Sequence, residues 1–364
     1  MITHLMSHNL LSPHQFGFLP KRSSCSQLLH CLNKWYCSFL ENKTTNVVYT
    51  DIRKAFDSVS HQKLIKMITS YGISDLVTNW LENFLSNRSQ QVIIDNILSS
   101  SLPVTSGVPQ GSVIGPLLFV LFFNDITRTA GLLGGNGGIC LFADDAKLFS
   151  TDMVQLQNSL NDVTCWLKEH QLEVAPNKCF VLKISKPRVL DSSQSIFIQN
   201  DVLEEKPVIK DLGVFISNDL KWAHHINYLF SQASVYSYQV LHSFKSRNIW
   251  TLIKLYKTYI RPKLEYNTPV WSPYLQKDIC KVEQVQRNFT KRVCIRCNIP
   301  FNSYSDRLIK LNLHSLEYRC IKFDIILIFK IIKAIGGGAV SKFVLFFFFY
   351  LTLKYFLCSF CSFF

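Results

Sequence analysis

Charge is scarce in this chain. Asp, Glu, Lys and Arg together make up 18% of 364 residues, while hydrophobic residues make up 48%. That balance excludes a disordered chain and demands a packed interior, with length for two or three units of ordinary domain size. Acid is the scarcer sign: 25 Asp and Glu stand against 39 Lys and Arg, a formal net charge of +14. A core-forming chain this basic points to a polyanion, nucleic acid or an anionic membrane surface; charge kept for solubility alone is the plain alternative. The opening MITHLMSHNLLSPHQ has no basic stretch followed by an apolar one, so no secretory signal is expected and the nucleus or cytoplasm is the expected compartment. Internal repeats are lacking too. A disulfide framework is not expected from the 12 cysteines, because the chain is long and Cys140, Cys179 and Cys320 sit in apolar runs as reduced core residues. Cys294 and Cys297 have C-x-x-C spacing, but no second pair completes a four-ligand zinc site.

Where acid is so sparse, Asp144 and Asp145 stand side by side in GGICLFADDAKLFS, residues 137–150. Like charges repel, and burial makes that worse, so such a pair persists mainly where a cation holds it, usually a metal ion. For an isolated pair, a turn or capping role is the commoner reading. Here the pair lies between two apolar runs that read as a hairpin over 138–149, with the aspartates at or beside its turn.

The rest of the pattern supplies a frame. Helices are expected over 24–40 (Leu28, Leu32, Trp35, Tyr36, Phe39), over about 61–70 with Gly72 as its stop, and after Ser74, with Leu76, Trp80, Leu81, Phe84 and Leu85 as the apolar stripe. NVVYTDI, residues 46–52, reads as a strand, and QQVIID and SSSLPVT flank a turn at Asp95-Asn96. A Gly/Pro loop becomes an apolar helix from about Ser112, and another helix carries Val154, Leu156, Leu160, Val163 and Leu167. The order describes an α+β layer, with helices backing an antiparallel sheet. From about 222 to 333 the chain turns helical and basic. There Val282, Val285, Phe289 and Val293 form one stripe, with Lys281, Arg287, Lys291, Arg292 and Arg296 mostly off it, a solvated face unless a polyanion lies nearby.

Asp51 closes the strand VVYTD. If that strand and the hairpin are neighbours in one sheet, Asp51, Asp144 and Asp145 meet at one edge. Carboxylates converging from rigid elements suit two Mg²⁺ ions roughly 3.5–4 Å apart, the arrangement that nucleotidyl transfer uses.

Several segments then fall in a telling order: LLSPHQFGFLPKRSS, VVYTDIRKAFDSVSHQKL, GVPQGSVIGPLLFVLFFNDI, CLFADDAKLF, LEVAPNKCFVLKIS and DLGVFISNDLKWAHHI. In that order they resemble the fingers motif, palm motifs A to D and the thumb entry of reverse transcriptases from non-LTR, LINE-type retrotransposons. With YIRPKLEYNTPVWSPYLQKDICKVEQVQRNFTKRV, similar to the thumb and C-terminal extension, the likeness covers residues 11–333.

The resemblance implies a right-hand polymerase: partial fingers over 1–45, a palm over 46–215 and a helical, basic thumb and extension over 216–335. The upstream fingers and the endonuclease are expected to be absent. It assigns Asp51, Asp144 and Asp145 as ligands of two Mg²⁺ ions, or Mn²⁺ in their place. Phe56 falls where a bulky ring packs under the incoming sugar and excludes a 2′-hydroxyl. Asp57 is expected to bond backbone rather than metal. Gln110 and Gly111 match the motif B loop beside nucleotide and template, and Lys178 the motif D proton donor. Lys21 and Arg22 match the triphosphate clamp, although a proline interrupts the basic run there. The implied partners are an RNA template, a DNA primer and deoxynucleotides. A catalytically silent nucleic-acid-binding remnant is the alternative; an RNA-templated RNA polymerase is another, which Phe56 opposes. Residues 336–364 form a Phe-rich, low-complexity tail, and 343–364 have the length of a membrane span with Lys354 near the middle, which leaves a tail anchor and translated T-rich noncoding sequence as rival readings.

Overall fold

The computed structural model describes residues 1–130, 137–187 and 194–334. The tail, and with it the membrane reading, lies outside the described residues; among those described, no helix is long and apolar enough to cross a membrane. The chain divides into two compact units, Met1–Val208 and the part from Ile209 onward.

In the first unit α1 (Ile2–Ser7) and α2 (Ser24–Leu40) precede β1 (Thr45–Thr50), β2 (Ile52–Arg53), α3 (His61–Ser70) and α4 (Asp75–Leu85). A ribbon follows, made of β3 (Ser89–Gln90), β4 (Ile93–Ile94), β5 (Ile97–Leu98) and β6 (Leu102–Pro103), then α5 (Gly115–Phe123) and α6 (Ile126–Thr129). The hairpin of β7 (Gly138–Phe142) and β8 (Asp145–Ser150) leads into α7 (Met153–Glu169), β9 (Glu173–Val174) and β10 (Phe180–Ile184). Short strands β11 (Phe197–Ile198), β12 (Asp201–Val202) and β13 (Glu204–Glu205) close the unit.

The main sheet runs β13-β10-β1-β8-β7. Its pairs are antiparallel except at the edge, where β13 joins β10 in parallel. Both faces are covered. Val48, Leu148, Ile139 and Leu141 pack in the core shared with α3, α4, α5 and α7. On the opposite face Trp35 of α2 meets Phe149 edge-on at 6.0 Å, and Val47 is buried. A strand covered on both faces has no polar side to show, which is why VVYT and GICLF read as unbroken apolar runs.

Local signals set the helix ends. Ser23 and Ser26 form a reciprocal cap on α2, and Asp152 accepts the N–H groups of Val154 and Gln155 at 2.9 and 3.1 Å to start α7. Asp95 and Asn96 both take left-handed φ, 48° and 65°, in the tight turn between β4 and β5. On α4 the structure corrects the sequence. Leu76 and Trp80 are 82% and 54% exposed, Trp80 stacks on the half-buried Phe84, and the buried face is Thr78, Leu81 and Leu85. Ser74 stands at the N-cap position, but its side chain makes no capping bond.

The second unit holds β14 (Val208–Asp211), whose first residue belongs to the first unit, β15 (Val214–Ser217), α8 (Ala223–Ser243), α9 (Ile249–Leu255), α10 (Arg261–Glu265), α11 (Thr268–Trp271), α12 (Gln276–Arg296), α13 (Tyr304–Lys310) and α14 (Leu316–Ala334). On α12 Val282, Val285, Phe289 and Val293 are buried as their spacing predicts, but so are Glu283 and Gln286. The Glu283 carboxylate accepts the N–H groups of Leu316 and Glu317 at 2.8 and 3.2 Å, capping α14 where the helix dipole favours negative charge. Gln286 accepts from the Tyr256 hydroxyl at 2.7 Å and donates to the Tyr304 hydroxyl and the His314 carbonyl. Arg296, expected on the basic face, instead donates to the Leu241 and Phe244 carbonyls and closes the end of α8.

His225 gives this unit a pH dependence. It is 1% exposed, accepts the Phe215 N–H at Nδ1 and lies edge-on to Trp271. Burial, then the charges of His224 and Lys210, push its pKa down to about 4. The unfolded chain, with an ordinary histidine pKa near ~6.5, takes the proton first. Stability therefore falls as pH drops from about 6.5 toward 4, by about 3 kcal/mol in full. Urea unfolding by tryptophan fluorescence at pH 7 and pH 4.5 should show that loss, and His225→Phe should flatten it.

Candidate active site

The register of the sheet sets the positions of the three aspartates. β1 pairs β8 up to Thr50–Ala146, and the hairpin closes on the Phe142–Asp145 pair. Asp51 therefore leaves β1 one step past that pair, level with Asp145, while Asp144 sits in the two-residue turn. Burial pushes the Asp144 carboxyl above the usual carboxylate range, and the charge of Asp51 pushes the same way. Asp51 and Asp144 thus share one electrostatic site. The segment after α7 is tied to it: the Ala175 N–H donates to the Asp51 carbonyl at 2.9 Å, and the Asp51 N–H points at the Cys179 sulfur at 3.4 Å. Lys178 places its Nζ 3.6 Å from Asp51 Oδ2, a solvent-screened pair.

Among the described residues no three His, Cys, Asp or Glu side chains stand together as a metal cluster. The donor chemistry at the sheet edge nonetheless fits a hard cation: carboxylate oxygens only, carried on a strand end and a tight turn. Cys294 and Cys297 have no such support.

The turn at Asp144 is held by a residue the sequence reading passed over. Ala143 takes a left-handed φ of 57°. Gln15, fully buried, accepts the Ala143 N–H at 3.0 Å on Oε1 and donates from Nε2 to the Ala143 carbonyl at 3.2 Å. Its Oε1 also accepts the Gly17 N–H at 2.8 Å. Residues 14–16 run beside β7, with Phe16 N–H to the Leu141 carbonyl at 2.7 Å and Leu141 N–H to the His14 carbonyl at 2.9 Å. Gly17 passes so close that a Cβ there would lie 2.4 Å from the Ala143 nitrogen. The segment HQFGF is therefore a brace for the aspartate turn: glutamine clamps it and glycine permits the approach. The signal was the fingers-like motif itself, but nothing local to it names a partner 128 residues away.

Other expected site residues divide. Phe56 is half-buried, stacked on Phe119 of α5 at 4.1 Å and edge-on to Phe18 at 6.2 Å, which holds its ring in one plane. Gln110 and Gly111 lie exposed in the loop before α5; Gly111 has φ of +84° and open space around it. Asp57 does not meet the expectation of a backbone partner for its side chain: Oδ1 accepts from Gln110 Nε2 at 2.8 Å. Arg22 turns inward, donating to the carbonyls of Ser12 (2.7 Å) and Gln15, so it supports the brace. Lys21 is exposed with a φ of 61°.

A family profile described as "Reverse transcriptase (RNA-dependent DNA polymerase)" matches residues 1–229. The chain belongs to this reverse transcriptase family. Its relatives are of the non-LTR retrotransposon kind. The probable RNA-directed DNA polymerase from transposon X-element of Drosophila melanogaster is 24% identical over 309 residues, 80% of this chain and 33% of that protein. The corresponding transposon BS protein of the same species is 27% identical over 337 residues, 86% and 36%. The RNA-directed DNA polymerase from mobile element jockey of Drosophila funebris is 25% identical over 291 residues, 77% and 31%. The chain spans about a third of the length of these relatives. Among solved structures, apo telomerase from Candida Tropicalis aligns with a TM-score of 0.47 at 9% identity, covering 96% of this chain and 59% of that one. Within the reverse transcriptase family the β13-β10-β1-β8-β7 sheet is the palm of the right-hand polymerase fold.

Proposed function

We propose that this chain adds deoxynucleotides to a DNA 3′ end on an RNA template. The observation that carries the reading is the sheet register, which brings Asp51 level with Asp145 beside the turn that holds Asp144, in a chain of the reverse transcriptase family. Asp51, Asp144 and Asp145 would hold two Mg²⁺ ions, or Mn²⁺ in their place. When bound, such ions make the primer hydroxyl nucleophilic and neutralise charge on the phosphates.

The remaining roles belong to the chain. Gln15 fixes the turn that carries Asp144. Lys178, beside Asp51, is placed to give a proton to the departing pyrophosphate. Lys21, exposed in the fingers-like segment, is the cation we assign to the triphosphate. In the second unit Lys277, Arg287 and Lys291, exposed along α12, offer cations for a nucleic-acid backbone, the role of a thumb. The compartment that goes with this reading is the nucleus or the cytoplasm.

Purified protein given a primed RNA template, deoxynucleotides and Mg²⁺ should extend the primer, and EDTA should stop it. Salt-dependent RNA binding without extension would select the silent remnant instead. Phe56 supplies a finer test. With its ring fixed against Phe119, Phe56→Val should raise ribonucleotide over deoxynucleotide incorporation by roughly tenfold or more, read as the ratio of the two kcat/KM values.

A further inference from the structure

The two units differ in charge. Residues 1–208 carry 17 Lys and Arg against 17 Asp and Glu, whereas residues 209–334 carry 20 against 8. The excess that draws a polyanion therefore lies in the second unit, outside the palm. There α8 and α12 pack side by side, and between them runs an open groove of about 590 Å³, lined by Phe230 of α8 and one face of α12. That face presents Lys277, Lys281, Gln284, Arg287 and Asn288 at helical spacing. None of the described residues lining the groove is acidic; Asp278, next to Lys277, stands outside the lining.

Two of the cations are held in place. Lys281 lies over the Phe230 ring at 5.5 Å and donates to the Asn227 side chain, and Arg287 lies over the Tyr304 ring at 4.7 Å. An ammonium has three donors, so Lys281 keeps two for a ligand. Positioned cations with side-chain amides between them suit a phosphodiester strand: the cations meet phosphates, and the amides meet sugar or base edges. The shape selects the kind of strand. Packed helices lie about 8–10 Å apart, so a duplex is too wide to enter and can rest only on the rims, while an unpaired strand can follow the groove.

We propose that the groove between α8 and α12 holds an unpaired nucleic-acid strand, gripped by Lys277, Lys281 and Arg287. In naming nucleic acid as the polyanion the inference rests on the polymerase reading; the selection of an unpaired strand rests on the groove alone.

The test is binding by the full chain, read by fluorescence anisotropy with three labelled probes of about 12 nucleotides: an unstructured RNA, a DNA of the same sequence, and a duplex. Lys277→Gln with Arg287→Gln removes two exposed cations from the groove. Each phosphate contact contributes about 0.7 to the salt slope of single-strand binding, so the plot of log K against log salt should flatten by about 1.4, and affinity at about 0.1 M salt should fall roughly 10- to 30-fold. Duplex binding by this variant should hold within about twofold. Lys322→Gln with Lys333→Gln takes the same charge from exposed positions on α14, and it should cost the single strands less than about twofold. A loss confined to the RNA or to the DNA probe would name the strand and support the groove. Single-strand affinity retained in the groove variant, or an equal loss on the duplex or in the α14 variant, would overturn the inference. Cys280, exposed in the groove lining, gives a second readout. Its alkylation by N-ethylmaleimide, followed at its own peptide by mass spectrometry, should slow under a saturating single strand, with the exposed Cys165 as the reference; unslowed alkylation would count against the groove. Failure of the unaltered protein to extend any primer would overturn the polymerase reading, while the binding results would still decide the groove.

Discussion

Asp144→Asn with Asp145→Asn lowers primer extension by roughly a thousandfold or more, about 4 kcal/mol of transition-state stabilisation, in an assay with saturating Mg²⁺. The substitutions are nearly isosteric and remove the charges that would hold the cations. Asp51→Asn, far back in the chain but at the same edge, should cost a similar factor. Stability should move the other way. Burial and the charge of Asp51 hold the Asp144 carboxyl above its ordinary range, so the unfolded chain ionises first and folding loses stability as pH rises from the unfolded value toward the folded one. Neutralising Asp144 removes that cost, and the thermal midpoint at pH 7 should hold or rise. Lost activity together with kept stability separates a site from a scaffold.

Gln15→Leu should also lower activity, by a different route and to a smaller extent. The replacement fits the space but strands the Ala143 N–H and carbonyl and the Gly17 N–H, all tied to the one buried amide. Each buried group left unpaired costs about 1–3 kcal/mol, so the unfolding free energy should drop by several kcal/mol. The larger consequence is geometric. Ala143 immediately precedes Asp144 in the turn, and a shift of about 1 Å in a reacting group costs on the order of 100-fold. Extension measured at a temperature where the variant remains folded should fall by about that factor in kcat, with KM for the primed template little changed. A loss confined to KM would assign Gln15 to nucleic-acid binding instead.

Much of this arrangement was legible in the residues, for reasons that can be named. The β7–β8 hairpin was legible because strands buried on both faces leave unbroken apolar runs, and the charged pair could stand only at the turn between them. Asp51 was legible as the end of a β-branched run. The packing of α12 followed from its helical spacing. What stayed hidden depends on partners distant in sequence. Gln15 looks like any loop glutamine until β7 lies beside it. Arg22, being a cation in a fingers-like motif, was expected at a triphosphate, yet two nearby carbonyls claim it. Glu283 and Gln286 break the apolar rule on α12 because they serve the ends of other helices, a demand made by tertiary packing alone. On α4 two residues beside the true buried face were large and apolar, and size misplaced the stripe by part of a turn.

The most direct measurement of the central claim is the count of Mn²⁺ ions held by the protein on a primed RNA template with an incoming deoxynucleotide, by electron paramagnetic resonance titration. Two bound ions in the unaltered chain, with at least one lost in Asp51→Asn and likewise in Asp144→Asn, is the predicted result. Full retention of both ions after Asp51→Asn would contradict the shared cradle.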